Sequence, residues 1–494
     1  MTINNGSVYH DPDFNVGEST RLFDPRKGDL TISCDSNAFG DYSYKSTSTI
    51  DDNDSIDGDF LSNKSHASRY SFVATLIEKV SPDNGSTLLL TVFSLLPILQ
   101  GSAVLGVPYA FIVGGKAILP AILLISLLAM ICTSLLVDSL YEISPRSLRR
   151  KRVYNGYGDL ALACWGKLGS LVVKIMMFIY FAMNNVVNIV LLFKCLDNLM
   201  AHHNFPLTTN QLGCLSMLVF LPPMFFMKKI SSLAYLGLIA TFAVIVASLT
   251  SIVVFVQEFG QWHENLAQIQ MIDWNQFPVG IGIIMYTLIA APSLPDIEGT
   301  MRDRTKLPTA LYVSFGTSSI FKSMYGFIAV LAFGFSTKQL IATNVSEESV
   351  PCRYIISIML IVYAFCNSTF FFYLILQDIE RILIRNVSDS IADGRKFHIV
   401  WVLFSRPLVL VILVAISLIM PFFALVSGVV GAVCGSFLAF ISPVMFHLKL
   451  KWAQLSLTRR TCEVILLIIS VLLGSITSYS SINKLVTSIL NHHE

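Results

Sequence analysis

Residues 88–115 read LLLTVFSLLPILQGSAVLGVPYAFIVGG, an apolar run with Gln100, Gly101 and Ser102 near its middle and Gly106 and Pro108 close behind. At a rise of about 1.5 Å per residue the run is long enough to cross a bilayer. It cannot do so as one plain helix. Glycine is the poorest ordinary helix former, and proline removes a backbone donor and pushes the preceding residue out of the helical region. An unpaired backbone group in hydrocarbon is costly, so a break here must face protein or a wet cavity. Hydrophobic helices broken in this way line the binding sites of many secondary transporters.

Composition agrees with a membrane setting. The chain has 494 residues, 54% hydrophobic and 13% charged, with a mean hydropathy of +0.66, whereas ordinary globular domains carry about 25% charged residues. The fold class expected is all-α and polytopic. The net charge of +2 is dispersed over loops and leaves no footprint for nucleic acid. The nine cysteines match no metal spacing such as C-x-x-C. Cys132, Cys366 and Cys434 fall inside apolar runs, where cysteine behaves as a small hydrophobe. Cys352 reads as a free thiol, with Cys214 as its alternative partner. The histidines cluster with nothing nucleophilic, so neither an enzyme, a metal site nor a cofactor is expected.

Residues 1–86 hold 14 Asp and Glu, with the run DDNDSIDGD at 51–59, and few large apolar residues. Such a segment cannot offset its ordering entropy and reads as a disordered, acidic cytosolic tail. It contains no cleavable signal peptide, which leaves targeting to the first helix. YSFV at 70–73 matches a tyrosine-based sorting pattern, making sorting adaptors candidate partners. Residues 87–494 then form the transmembrane domain. Eleven apolar segments lie at about 88–113, 117–141, 171–199, 212–227, 232–256, 278–298, 311–334, 353–377, 401–425, 429–447 and 463–483.

The loops give the orientation. With the N-terminus inside, loops 142–170, 228–231, 299–310, 378–400 and 448–462 carry nineteen Lys and Arg, and the opposite side only Lys116, Lys338 and Lys484, with Arg353 at a segment edge. The positive-inside rule therefore predicts a cytosolic N-terminus and, with an odd number of spans, a lumenal C-terminus. Asn344 in the sequon Asn344-Val345-Ser346 falls on the lumenal side as a candidate glycan site. Asn386-Val387-Ser388 would be cytosolic.

The sixth segment, PVGIGIIMYTLIAAPSLPDIEGTM at 278–301, repeats the anomaly of the first. Four segments separate the two, so the breaks occupy corresponding positions in two five-helix halves, the best sequence pointer to an inverted-repeat transporter. Glycine and proline are also common in ordinary membrane helices. If 100–106 unwinds, amides from Gly101 to Leu105 and a helix N-terminus suit a carboxylate, which nominates Gln100, Gly101, Ser102, Val104, Leu105 and Gly106. Freed carbonyls near Tyr286, Thr287 and Ala290 suit an ammonium. A carboxylate and an ammonium together describe an amino acid.

Tyr180, Asn184 and Asn188 recur on one face of the third segment. They either line the path or make the interhelical hydrogen bonds common for membrane asparagines. Asn367, Ser368 and Thr369 at the middle of the eighth segment read as a coupling-ion site or a packing contact. Glu298 and Asp296 are the candidate proton-coupling acids, with a cap or salt bridge to Arg302 or Arg304 as the structural alternative. Asp138 and Glu142 read as interfacial, and Lys174, Lys194 and Asp197 as snorkelling from helix ends.

Gln100-Gly101, Val104-Leu105-Gly106-Val107-Pro108-Tyr109-Ala110 and Gly114-Gly115 together resemble the first helix of the amino acid/auxin permease family. Within it, Leu294-Pro295-Asp296-Ile297-Glu298-Gly299-Thr300-Met301 is similar to the sixth-helix end of the vesicular inhibitory amino acid transporters, which load GABA and glycine into synaptic vesicles. Tyr157-Gly158-Asp159-Leu160 with Gly166 is similar to their loop before helix three. Pro421-Phe422-Phe423-Ala424-Leu425, Gly428, Gly431, Gly435, Pro443 and 446–452 are similar to their ninth and tenth helices. Asp296 and the stretch 289–293 depart from that group. The resemblance implies a LeuT-like five-plus-five inverted repeat with helices 1 and 6 broken and an eleventh helix added. It implies alternating access by a rocking bundle and movement of small neutral amino acids linked to a proton gradient in a vesicular or vacuolar membrane. Protons are the expected partner ions, with chloride as a further candidate. A vacuolar or lysosomal neutral amino acid exporter or exchanger, and an amino-acid-sensing transceptor signalling through the acidic tail, are the alternatives. A channel is disfavoured because no repeated filter sequence is present.

Overall fold

In the computed structural model, residues 88–115 fold as two helices. Helix α1 (Leu88–Gln100) and helix α2 (Val107–Gly114) meet at an angle of 41° across Gly101 and a 3-10 turn over Ser102–Gly106. Thr87 caps α1 by accepting the Leu90 amide, and Pro108 lies in the first turn of α2, where a missing donor is harmless. The structure describes residues 87–143, 150–154, 156–200, 211, 214–215, 230–387 and 394–493. The expectations for the acidic tail, its sorting motif and the fourth segment at 212–227 lie outside those residues. The chain divides into two units, Met1–Asp57 and Gly58–Glu494, and every described residue belongs to the second.

Helix α3 (Ile118–Ser139) runs into a short antiparallel hairpin, β1 (Tyr141–Ile143) with β2 (Arg150–Arg152), in which Glu142 faces Lys151. Helix α4 (Tyr157–Met200) is kinked at Trp165 and Gly166, whose φ of 65° is left-handed. After α5 (Ile230–Gln257) and the short α6 (Trp262–Gln268), the sixth predicted segment again splits. It gives α7 (Phe277–Tyr286), a 3-10 turn at Ala291–Ser293, and α8 (Leu294–Thr300). Helices α9 (Leu307–Phe333), α10 (Ile341–Glu348), α11 (Val350–Val387) and α12 (Gly394–Ile419) follow. The tenth segment is α13 (Phe423–Val430), a π-helix over Gly431–Ile441, and α14 (Ser442–Lys451), and the last is α15 (Leu457–His493). The predicted ninth segment, 401–425, therefore overran its end. Pro421 cannot donate into a helix, and the chain leaves helical geometry after Ile419.

Among the described residues eight helices are long and apolar enough to cross a membrane, or nine with the bent α1–α2 pair as one span. Large apolar side chains such as Leu124, Leu171, Phe242, Ile320 and Leu472 point outward, whereas Asn188, Glu298, Lys322 and His447 are buried. That is the arrangement a lipid solvent requires. Helices α1, α2, α3, α7 and α9 pack on one another, while α4, α5 and α11 form a second group. With lipid as apolar as leucine, such contacts rest on close packing. A Cβ on Gly282 would lie 2.8 Å from the Gly428 carbonyl oxygen, so the α7 and α13 backbones approach there as only glycine allows.

The end of the molecule beyond α2 is shut. Gly115 has φ 77°, and a Cβ on it would sit 2.7 Å from the Gln270 carbonyl oxygen. The amides of Lys116 and Ala117 donate to the carbonyls of Gln270 and Met271 at 3.0 and 2.9 Å. Asn265 Nδ2 donates to the Leu331 carbonyl at 2.8 Å, fastening the loop to α9.

Candidate functional site

The first break exposes the Ser102 amide, which begins the 3-10 turn without an acceptor in its own helix. The Tyr363 hydroxyl on α11 supplies one at 2.9 Å. Asn367, one turn along, donates to that hydroxyl at 3.1 Å and to Asn188 Oδ1 at 3.3 Å. Asn188 Nδ2 donates in turn to Asn184 Oδ1 at 3.0 Å. A continuous polar chain thus ties α4 and α11 to the break.

At the second break α7 stops at Tyr286, and Thr287 turns its hydroxyl back to the Ile284 carbonyl at 2.7 Å. The Thr287 carbonyl accepts from Lys322 Nζ at 2.8 Å. Lys322 is fully buried midway along α9, and among the described residues no carboxylate is paired with it. One turn further, a Cβ on Gly326 would lie 2.7 Å from both Val107 and Phe111, so this part of α9 stands beside the start of α2. A lysine amine is therefore fixed level with both breaks.

Between them lies a cavity of about 440 Å³. Gly101, Ser102, Tyr180, Asn184, Tyr286, Thr287, Tyr363 and Asn367 supply its polar wall, and Pro97, Ile289, Phe370 and Phe371 its apolar wall. The space continues along α1 to Leu90 and Phe93 and along α11 to Leu374, away from the shut end.

The other expected residues stand elsewhere. Gln100 does not line the cavity, and its Oε1 is buried without a partner among the described residues. Val104, Leu105 and Gly106 turn into the core, Gly106 towards Phe423 and Ala424. The stretch 102–106 is coiled rather than unwound and presents no open row of amides, because a 3-10 turn keeps its donors in use. The expected row of free carbonyls at 286–290 is likewise reduced: Lys322 takes that of Thr287, and the amides of Ala290 and Ser293 take those of Leu288 and Ala290. Asn188 stands behind Asn184 and off the cavity wall. Ser368 and Thr369 are buried off the wall, with Thr369 Oγ1 bonded to the Phe365 carbonyl at 2.8 Å.

Glu298 and Asp296 lie beyond the cavity. Glu298 is fully buried, with Arg152 Nη1 at 3.1 Å, Arg304 Nε at 3.4 Å and the Tyr141 hydroxyl donating to Oε1. Arg152 also donates to the Pro295 carbonyl at 2.7 Å, and Lys451 Nζ to the Tyr141 carbonyl at 2.5 Å. Burial, and then the hydrogen bond to Glu298, push the Tyr141 phenol up to about 12. Glu298 thus clasps the β-hairpin to the foot of α8. Asp296 Oδ2 is buried with no partner among the described residues.

Asn344 is buried, its Nδ2 donating to the Ser336 carbonyl and its Oδ1 accepting from the Lys338 amide, both at 2.8 Å. The atom a glycan would take is engaged, so helix α10 does not present this sequon. Cys352 and Cys214 are both free thiols. Two participants escaped the sequence reading. Lys322 carried a signal, a lone cation within an apolar segment. Tyr363 carried none, because a tyrosine in an apolar helix reads as filling.

Two interrupted helices of a helical membrane domain meeting around a polar cavity is the arrangement of a transporter. The chain belongs to the transmembrane amino acid transporter protein family, whose model matches residues 84–483. It is 26% identical to the vesicular inhibitory amino acid transporter of Xenopus laevis over 392 residues, covering 77% of this chain and 73% of that one. It is 25% identical to amino acid transporter AVT3A of Arabidopsis thaliana over 394 residues, 78% of this chain and 87% of that one. Among solved structures, MHP1, a nucleobase-cation-symport-1 family transporter, aligns with a TM-score of 0.48 at 12% identity, covering 83% of this chain and 92% of that one.

Proposed function

We propose that this protein is a proton-gradient-linked secondary transporter of small neutral amino acids across a vesicular or vacuolar membrane, working by alternating access. The observation that carries the reading is the cavity of about 440 Å³ at the meeting of the two helix breaks, with the Lys322 amine behind its Thr287 wall. The substrate carboxylate lies towards Lys322 and the Ser102 end of the site, and its ammonium towards the hydroxyls and amide oxygens of Tyr180, Asn184 and Asn367. The apolar wall takes the aliphatic part. Asn188 positions Asn184 and Asn367 from behind, and Gln100 is retained as a candidate at the break. The name of the Xenopus relative makes GABA and glycine the first substrates to examine.

The full architecture in this reading is eleven spans, a five-plus-five inverted repeat plus one, with the N-terminus cytosolic and the C-terminus lumenal. The excess of nineteen basic residues over three supports that orientation. The cavity then opens along α1 towards the cytosol, an inward-facing state. Chloride is retained as a candidate second ion. The apolar wall of Phe370, Phe371 and Ile289 favours one further reading, an exporter or exchanger of larger neutral amino acids. An amino-acid-sensing transceptor differs in that deleting residues 1–70 would abolish signalling and spare binding.

Uptake into proteoliposomes under an imposed pH gradient tests the proposal. GABA, glycine, β-alanine and leucine are compared, with and without chloride. Gradient-stimulated, saturable uptake of one of them is expected. Uptake indifferent to the gradient would remove the proton link, and Gly101→Leu with unchanged uptake would remove the site.

A further inference from the structure

His447 on α14 is 1% exposed and lies between two carboxylates. Its Nε2 is 2.9 Å from Asp138 Oδ2 at the end of α3, and its Nδ1 is 2.8 Å from Glu463 Oε2 on α15. A neutral imidazole has one N–H and one lone pair. With both carboxylates ionised, a neutral ring would aim a lone pair at one carboxylate oxygen across a hydrogen-bond distance. The arrangement closes only when the ring is doubly protonated or one carboxyl carries a proton. Either way the cluster holds one proton more than a neutral ring flanked by two carboxylates.

The surroundings suit exchange of that proton. The Asp138 side chain is 36% exposed, giving the buried ring a route to water. The charged and titratable groups near the ring are Asp138 from α3, Glu463 from α15 and Arg459, whose Nε is 3.3 Å from Glu463 Oε1. Lys449 and Lys451 belong to its own helix, with Lys451 held on the Tyr141 carbonyl. From α4, Tyr157 packs edge-on to Phe446, and Cys164 lies near Lys449.

We propose that Asp138, His447 and Glu463 form a proton-holding site, and that its proton latches α3 to α14 and α15 at the end where Glu298 clasps the β-hairpin. Losing the proton leaves an unshared lone pair against one of the two carboxylates, so α14 loosens its hold on α3 or on α15 as the proton departs. No covalent bond changes; a proton passes between the cluster and water. The coupling role rests on the proton-linked reading above, whereas the excess proton follows from the geometry alone.

Full-length wild type, His447→Gln and Asp138→Asn in proteoliposomes test it with radiolabelled GABA, glycine and leucine. Two assays are run: accumulation driven by a pH gradient, and counterflow at equal pH, which needs no net proton release. Both variants are expected to lose gradient-driven accumulation about tenfold or more and to keep counterflow within about twofold, because only the first needs the cluster to release its proton. Accumulation at the wild-type level and pH profile in either variant would overturn the site. So would loss of both assays together, which marks a purely structural clamp. Should His447→Gln fail to give monodisperse protein, Asp138→Asn, at a partly exposed side chain, decides alone. Wild-type accumulation blind to the gradient overturns the proton-linked reading itself, a result distinct from variant failure.

Discussion

The Tyr363 hydroxyl accepts the Ser102 amide at 2.9 Å, joining residues 261 apart in the chain. One phenol on α11 therefore holds the break between α1 and α2 and, through Asn367, the asparagines of α4. It belongs to the helix group that does not include α1, so this bond ties the two groups together at the break. The cavity wall and the contact between the two groups share an atom.

Tyr363→Phe keeps the ring and removes the acceptor. The buried Ser102 amide is then unsatisfied, a penalty of about 1–3 kcal/mol. A lower melting temperature of the detergent-purified protein and a rise in KM for uptake are expected. An unchanged KM would show that the bond does not shape the cavity.

Lys322→Gln retains a donor for the Thr287 carbonyl and deletes the basic amine. The amine touches the Thr287 carbonyl and not the cavity itself, so its effect on binding passes through that wall. Counterflow of the substrate should fall by an order of magnitude or more, while Lys322→Arg should recover part of it. Full counterflow in Lys322→Gln would limit the lysine to packing.

The Tyr141 phenol is pushed from 10.0 to about 12, so its folded-state value exceeds its unfolded one. The contribution of its bond to Glu298 is fully present below pH 10 and is lost as pH rises through about 12. Ionisation of the phenol should therefore leave its share of the clasp unchanged between pH 5 and 9, as thermal melts of wild type against Tyr141→Phe would reveal. A Tyr141-dependent melting difference that varies between pH 5 and 9 would contradict this assignment.

Gly115→Ala places a Cβ in a left-handed position and about 2.7 Å from the Gln270 carbonyl oxygen. Strain of this kind costs about 1–3 kcal/mol. A melting temperature lowered by several degrees is expected, with weaker closure at that end read as faster labelling of a cysteine placed at Met271. Labelling at the wild-type rate would count against Gly115 as part of that seal.

Much of the fold was legible because lipid constrains sequence strongly. Apolar length marks a span, and glycine with proline marks a break, so α1, α2, α7 and α8 were located from 88–115 and 278–301. The boundary at Ile419 was missed because the apolar run continues through Pro421 into the next helix. The site was half legible. Gly101, Ser102, Tyr180, Asn184, Tyr286, Thr287 and Asn367 do meet around one cavity, because breaks and membrane asparagines carry polarity that must face inward.

What the sequence alone determined was where backbone and side-chain polarity had to be hidden from hydrocarbon. Which groups satisfy it was decided by the tertiary structure. The Ser102 amide could have faced a ligand or a hydroxyl, and packing of α11 against the break chose Tyr363. The Thr287 carbonyl could have taken a substrate ammonium, and burial of α9 gave it Lys322. His447, Asp138 and Glu463 come from three separate helices, and no spacing along the chain announces them. A local pattern fixes an unmet hydrogen bond, whereas its partner is a matter of which helices touch.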